Sequence, residues 1–268
     1  GLEESQKPNS QTAVAAFSGG IDSTFTIYRH RLDKCDRHWR RNIDAGVFVH
    51  GFDIPLVQED AFKRASARMR KTLKTLDTDL ITMSTNLQAL NIEWDDTHIA
   101  GVASSLMLLS GQYSEGLIAS GSSYHKLLIP WGSNPITDHL LSTKNFQIVH
   151  DGANFTRIQK REEIRGWPEG FHDLRICFSA ERRDENCGKC SKCLTDILHM
   201  RILGVEIPKS FPNPSDLAIK NLQVRNLGEL NGFDSLVASA RKHGNNDRWV
   251  EILARRVQEL KRNAKHSV

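Results

Sequence analysis

The chain has 268 residues, of which 39% are hydrophobic and 25% charged, and its formal net charge is +4. This length predicts one α/β domain with a small appendage, and the mild charge is compatible with anionic ligands, with nucleic acid permitted as a partner but not favoured. No apolar run of about 18 residues and no apolar signal segment occur, so the sequence predicts a soluble cytoplasmic protein without a membrane partner.

The first recognisable element is a strand that runs directly into a glycine turn. The polar residues 1–12, which lack an initial Met, are interpreted as an added sequence or the cut end of a longer chain, and the strand and turn that follow read VAAFSGGIDST from Val14 to Thr24. Two glycines between a strand and a helix let the backbone turn tightly and direct N–H groups at an anion. A capped glycine turn without a ligand is the alternative. The pattern predicts a phosphate site made of Phe17, Ser18, Gly19, Gly20, Asp22, Ser23 and Thr24.

Strand and helix patterns alternate beyond this turn. Buried-strand patterns at about 45–50, 80–84, 116–120 and 147–150 alternate with helical patterns at about 22–32, 57–76 and 98–110. Successive strand-then-helix units predict a doubly wound, Rossmann-like parallel sheet with helices on both faces. We place this α/β domain at 12–166 and a helical, cysteine-containing region at 167–268.

Several polar residues follow the predicted strands, where ligands bind on parallel sheets. His50 and Asp53 follow the second strand and Gly121 follows the fourth, so these positions and the glycine turn are expected to meet in one crevice. His50 and Asp53 are equally well explained as loop caps. The turn-rich segment Trp131 to Asp138 could be a substrate loop or a simple connection, and we slightly favour the former.

A second helix start lies after the fifth strand. Thr156 and Gln159 form a capping-box pattern, and Arg157, Lys160 and Arg161 occupy the first turns of the helix that it predicts. Basic residues at a helix start oppose the helix dipole. They indicate an anion or acidic partner nearby, although a solvated basic face explains them nearly as well.

Four of the five cysteines fall within one short segment. Nine residues separate the first two, and two residues stand in each of the later gaps. Paired Cys-x-x-Cys turns present thiolates to a tetrahedral zinc, and four sulfur ligands leave no open position, so a structural zinc is predicted. Disulfides and an iron–sulfur cluster are the alternatives. The predicted ligands are Cys177, Cys187, Cys190 and Cys193.

These motifs together resemble a known family. The sequence from Ser18 to Ser23 closely resembles the pyrophosphate loop of the ATP pyrophosphatase (PP-loop) superfamily, whose fold is of the adenine nucleotide alpha-hydrolase type. Adding the later helix with its Lys160-x-x-Glu163-Ile164 segment and the cysteine site, the chain resembles 7-cyano-7-deazaguanine synthases, which are zinc-containing PP-loop ligases. The long first cysteine gap and the segment between Gly121 and Asp138 depart from that family, so we expect a different substrate.

The resemblance implies an ATP-dependent ligase. Such an enzyme uses ATP and Mg²⁺ to adenylate a substrate carboxylate, releases pyrophosphate, and forms an amide or nitrile with ammonia or another amine. It implies catalytic roles for Asp22, Ser23 and Lys160, with Lys160 as the cation over the triphosphate or adenylate, and a nucleotide contact at Gly121.

Two other functions stay open. Sulfur transfer to tRNA is the rival PP-loop chemistry, but only Cys35 remains for it once zinc is assigned. A nucleotide-binding or zinc interaction module without turnover is the other. The amphipathic stretch from Asp247 to Lys265 could pack on its own domain, contact a second copy in a homodimer, or meet an acidic macromolecule, and packing is favoured.

Overall fold

The computed structural model describes residues 12–126 and 131–265, so the polar start of the chain up to residue 11 lies outside the described residues. Five strands form one parallel sheet in the order β3-β2-β1-β4-β5. The prediction of a parallel α/β sheet is confirmed. The strands are β1 (Thr12–Ala16), β2 (Asn42–His50), β3 (Asp79–Ser84), β4 (Glu115–Ala119) and β5 (Gln147–Asp151).

The chain divides between Arg175 and Ile176 into two compact units. The sequence-based boundary after residue 166 lies earlier in the chain. The first unit contains the sheet with α1 (Ile21–Arg31), α2 (Glu59–Lys74), α3 (Trp94–Met107), α4 (Arg157–Ile164) and α5 (Pro168–His172). The second contains α6 (Ser191–Ile202), α7 (Asp216–Lys220), α8 (Leu227–Lys242) and α9 (Arg248–Lys265).

The sheet of the first unit is buried on both faces. Helix α3 covers one face, where Leu106 belongs to the same buried cluster as Val14 and Ile148, and α1 and α2 pack against the strands from the other side. Adjacent strand residues such as Val14 and Ala15 are both fully buried. This explains the continuous apolar strand patterns, because a strand with helices on both sides has no solvent face.

Strand order fixes where a ligand would bind. The chain leaves β1 toward β2 and β3, and returns to the other side of β1 to form β4. The carboxyl ends of β1 and β4 therefore flank the point where the winding direction reverses, which is the usual ligand position in such sheets. The glycine turn follows β1, and Gly121 follows β4.

Helix α3 begins one turn earlier than the apolar pattern predicts. It starts at Trp94 and carries Asp95 and Asp96 in its first turn, where acidic side chains are stabilised by the helix dipole. The predicted start of α3 rests on its apolar residues, and the first turn of the helix contributes few of these to the core. Elsewhere the predicted strands and helices end within a few residues of the observed ones.

The second unit has its own hydrophobic core, built from α6 to α9. In α9, Trp249, Leu253 and Val257 are buried in this core, so packing of the amphipathic helix is confirmed. The helices of the described residues include none with the length and hydropathy needed to cross a membrane.

Candidate active site and metal centre

The glycine turn ends β1 and starts α1. Buried Phe17 prolongs the pairing with β2 through its N–H to Val47 O (2.8 Å). Gly19 then adopts φ +74° and Gly20 is the N-cap residue of α1. No side chain caps this helix start. The first helical bond runs from the N–H of Thr24, a residue with a buried side chain, to Gly20 O (2.9 Å).

The turn is held by its own two serines. Ser23 Oγ donates to Gly20 O (3.2 Å), Ser18 Oγ accepts from the Gly20 N–H (3.4 Å), and the two hydroxyls lie 3.4 Å apart. Within the described residues, the N–H groups of Gly19, Ile21, Asp22 and Ser23 have no hydrogen-bond acceptor. Unpaired N–H groups at the start of an eleven-residue helix can donate to an anion, as the sequence predicts for this turn.

Lys160 links this turn to the end of β4. It comes from α4, its side chain is 2% exposed, and its Nζ donates to Asp22 Oδ1 (3.0 Å) and to the carbonyl of Ser120. An ammonium has three donors, so one remains after these two contacts. Three predicted positions, Asp22, Lys160 and the β4 end, are thus brought together.

The local charge is positive. Arg157 lies 3.9 Å from Asp22 Oδ2. Arg161 is buried, and burial, followed by the charge of Arg157, lowers its pKa to about 9. The predicted capping box that starts α4 is confirmed, with Thr156 and Gln159 bonded in both directions. The capping box holds these cations at the helix start in spite of the dipole.

Arg175 is a site residue that sequence reasoning missed. It is buried, its N–H donates to Gly19 O (2.8 Å), and its Nε donates to Ser18 O (3.2 Å). Its guanidinium also pairs with Asp53 at 3.0 Å. Asp53 therefore supports the arginine that holds the turn. No sequence pattern joins residues this far apart.

Gly121 lies at an exposed position just after Ser120. A Cβ added there would have no atom within 4 Å, whereas one added to Gly19 would lie 2.7 Å from Met69 Cε. The protein's own packing therefore does not require glycine at 121. A ligand that approaches the backbone closely would require it.

The other candidate positions have structural partners. His50 stacks on Phe62 at 4.3 Å and its Nε2 contacts Pro55 O (3.0 Å), which favours the loop-cap interpretation. Asp138 is buried, accepts hydrogen bonds from Ser133 and the Asn134 N–H, and contacts His150 Nδ1 at 2.6 Å. Burial opposes ionisation, but the bonds from His150, Asn134 and Ser133 lower the Asp138 pKa overall. Asp138 therefore anchors the 131–138 segment from within.

We expect Gly19→Ala to lower the free energy of unfolding by about 1–3 kcal/mol, because alanine disfavours positive φ and its Cβ would displace Met69. Urea unfolding monitored by circular dichroism measures this. Gly111→Ala is the matched control in the same unit, since its Cβ would meet nothing within 4 Å. Equal stabilities of the two variants would contradict the strained turn.

The four cysteines of the second unit form one compact cluster. Their ligand atoms lie within 4.8 Å of one another, with Sγ–Sγ distances of 3.7 Å for Cys177–Cys190 and 3.9 Å for Cys187–Cys193. A tetrahedral zinc with bonds of about 2.3 Å separates its sulfur ligands by about 3.8 Å. The cluster fits such an ion, and all five cysteines of the chain are free thiols.

Backbone donors also fit a thiolate cluster. The N–H groups of Ser179 and Cys190 donate to Cys177 Sγ and Cys187 Sγ, each at 3.3 Å. Bonds from Cys190 and Cys193 lower the pKa of Cys177, and the same contact raises the pKa of Cys190 to about 11. Thiolates this close repel one another, and a bound divalent cation would allow all four to ionise.

Asn186 supports the cysteine cluster and was not predicted. Its Oδ1 accepts from the N–H groups of Ile176 (3.0 Å) and Cys177 (3.3 Å), and its Nδ2 donates to Ser210 O (3.0 Å). Gly188 provides the positive φ of +67° in the first Cys-x-x-Cys turn. Asn186 therefore bridges the long gap between Cys177 and the other three ligands.

Neither the family models nor the curated proteins nor the solved structures yielded a match to this chain.

Proposed function

We propose that the protein is an ATP-dependent ligase that adenylates a substrate carboxylate and releases pyrophosphate. The observation that carries this proposal is the position of Lys160, which joins Asp22 on the uncapped start of α1 to the Ser120 carbonyl at the end of β4. A buried cation beside free N–H groups, at the point where the sheet reverses its winding, suits a polyphosphate.

The chemistry follows from the charges involved. A carboxylate is a poor electrophile, and its attack on the α-phosphorus of ATP makes an acyl adenylate as the bond to pyrophosphate breaks. Negative charge then grows on the departing pyrophosphate. The unpaired N–H groups of Gly19, Ile21, Asp22 and Ser23, together with the third donor of Lys160, are available to stabilise this charge without rearrangement.

The residues present also fit Mg²⁺ and zinc. Asp22 would hold Mg²⁺ together with phosphate oxygens, since one of its oxygens has only Arg157 nearby, at 3.9 Å. Mg²⁺ would supply further charge neutralisation there. The four cysteines would hold a structural zinc in a fold of the adenine nucleotide alpha-hydrolase type.

An amine completes the proposed reaction. Ammonia or another amine attacks the activated carbonyl, forms the C–N bond and expels AMP, giving an amide. Where the amine is ammonia, attack of the primary amide oxygen on a second ATP would release pyrophosphate, and loss of AMP, which carries that oxygen, together with a proton would give a nitrile. The departure of residues 121–138 from the deazaguanine ligases supports a different carboxylate as substrate.

Sulfur transfer to tRNA is the weaker candidate. Burial raises the pKa of the Cys35 thiol, with smaller opposing effects from Arg29, so Cys35 is not prepared to act as a thiolate. The other four cysteines are grouped as metal ligands. A nucleotide-binding module without turnover would bind ATP but form neither AMP nor pyrophosphate, so product analysis distinguishes it from the ligase.

The test is product analysis after incubation with ATP, Mg²⁺, ammonium and a panel of carboxylates that includes 7-carboxy-7-deazaguanine. AMP and pyrophosphate are expected, and ADP would overturn the proposal.

Gly121→Leu should fold normally, because its side chain meets no protein atom near Cβ. The variant should nevertheless bind ATP at least tenfold more weakly, a loss of about 1.4 kcal/mol, as measured by calorimetry. Unchanged ATP affinity in Gly121→Leu would show that ATP does not bind at the end of β4.

A further inference from the structure

An open groove of about 1120 Å³ lies at the amino ends of the strands, at the opposite end of the sheet from the glycine turn. It is lined by the first residues of three strands, Asn42 of β2, Glu115 of β4 and Gln147 of β5. Since all strands are parallel, these amino ends lie away from Ser18 and Gly121. The groove is therefore separate from the proposed catalytic site, and it is larger than the roughly 300–1000 Å³ of small-molecule pockets.

The groove concentrates the positive charge of the chain. Five cationic and two acidic side chains line it. Arg31 donates to the carbonyls of Ile43, Leu76 and Asp77, and is committed to the fold. Arg40 and Arg41 pair with Asp33 and Glu115 respectively.

Two groove cations keep their charge available. Arg37 and Lys144 are exposed, and neither forms an ion pair with any residue of the described ranges. The side-chain amides of Asn42 and Gln147 add neutral donors and acceptors to the same surface. This combination suits a ligand with repeated negative charges and polar edges.

An exposed tryptophan, Trp39, directly precedes the groove residue Arg40 in the sequence but does not itself line the groove. Residues 37–41 read RHWRR, and Trp39 is 68% exposed, the fourth most exposed large hydrophobic side chain described. An exposed tryptophan presents a large flat ring to solvent, on which another planar group can stack. An aromatic ring flanked by arginines is the surface on which unpaired nucleic-acid bases stack.

We propose that this groove binds single-stranded nucleic acid, with Arg37 and Lys144 contacting phosphates and Trp39 stacking on a base. A nucleic acid fits this surface better than an acidic protein segment does. Its phosphates would pair with Arg37 and Lys144, and its bases would stack on the ring of Trp39. Stacking is tolerant of sequence, so we expect little base preference. The proposal does not depend on the ligase reaction.

Fluorescence anisotropy of labelled oligo(U) and oligo(dT), each about 12 nucleotides long, tests it with the full chain. Binding is expected to weaken between about 50 and 200 mM salt. Arg37→Ala with Lys144→Ala should reduce the slope of log affinity against log salt by about 1.4. Lys71→Ala, an exposed change in α2 outside the groove, should leave the slope unchanged. Comparing the two oligomers shows whether the source is RNA or DNA.

The stacking contact has its own matched pair. Trp39→Leu should weaken binding about tenfold, whereas Trp39→Phe, which keeps a planar ring, should cost less than about threefold. The high exposure of Trp39 makes both variants compatible with folding. No binding at about 100 μM protein, or equal affinity of Trp39→Leu and the unchanged chain, would overturn the proposal. Equal binding of heparin, which has anionic groups but no bases, would also overturn it.

Discussion

Lys160→Met is expected to lower the rate of ATP cleavage by roughly 10²–10³-fold, the usual effect of removing one donor that stabilises developing charge. Methionine fills a similar volume but supplies no donor to pyrophosphate, and it leaves the Ser120 carbonyl without its Nζ contact. Steady-state release of pyrophosphate measures the loss. A comparable loss in kcat with little change in the affinity for ATP would indicate a role in the transition state.

The same change also affects folding, and a second variant separates the two effects. Lys160 is almost fully buried while Asp22 is 19% exposed, so loss of the lysine alone should cost about 1–3 kcal/mol of unfolding free energy. Lys160→Met combined with Asp22→Asn removes both charges and should recover part of that stability without recovering turnover. Recovered turnover in this double variant would show that Lys160 acts only by holding the fold.

Cys193→Ser is expected to abolish binding of one zinc per chain and to destabilise the second unit. Cys193 is a cluster ligand in the first turn of α6, and the same helix supplies Leu194 and Leu198 to the hydrophobic core. Structural zinc sites contribute apparent free energies of about 10 kcal/mol or more. The melting transition of the second unit should therefore be lost or shifted strongly downward.

Cys35→Ser is the matched control, because Cys35 lies in the first unit and outside the cluster. Metal content by mass spectrometry and melting by calorimetry are the two measurements. Retention of one zinc with unchanged melting in Cys193→Ser would contradict the metal centre. Visible absorption together with bound iron would show that the cysteines hold an iron–sulfur cluster instead of zinc.

The sequence predicts those features whose causes are local. The glycine turn is visible because strand, glycines and helix follow one another, and the capping box is visible because Thr156 and Gln159 are three residues apart. The cysteine spacing likewise indicates the metal centre, since two short turns hold three of the ligands. Buried strands are visible because both their faces are apolar.

Long-range polar contacts could not be predicted in this way. Nothing near Arg175 in the sequence indicates that it holds Ser18 and Gly19, and nothing near Ser120 indicates that its carbonyl accepts from Lys160. The sequence does not indicate the groove for the same reason. Lys144 and Arg37 line one groove only because β2 and β5 belong to one sheet. Net charge averages such clusters away.

The contact of Arg175 with the glycine turn has a consequence for the order in which the protein folds. The turn leaves the ribosome before the arginine that binds Ser18, which is 157 residues further along the chain. Domains form as the chain emerges, and contacts between distant residues close last. The turn therefore cannot reach its final geometry on the ribosome until the whole first unit has emerged, and a fragment that stops before residue 175 would lack it.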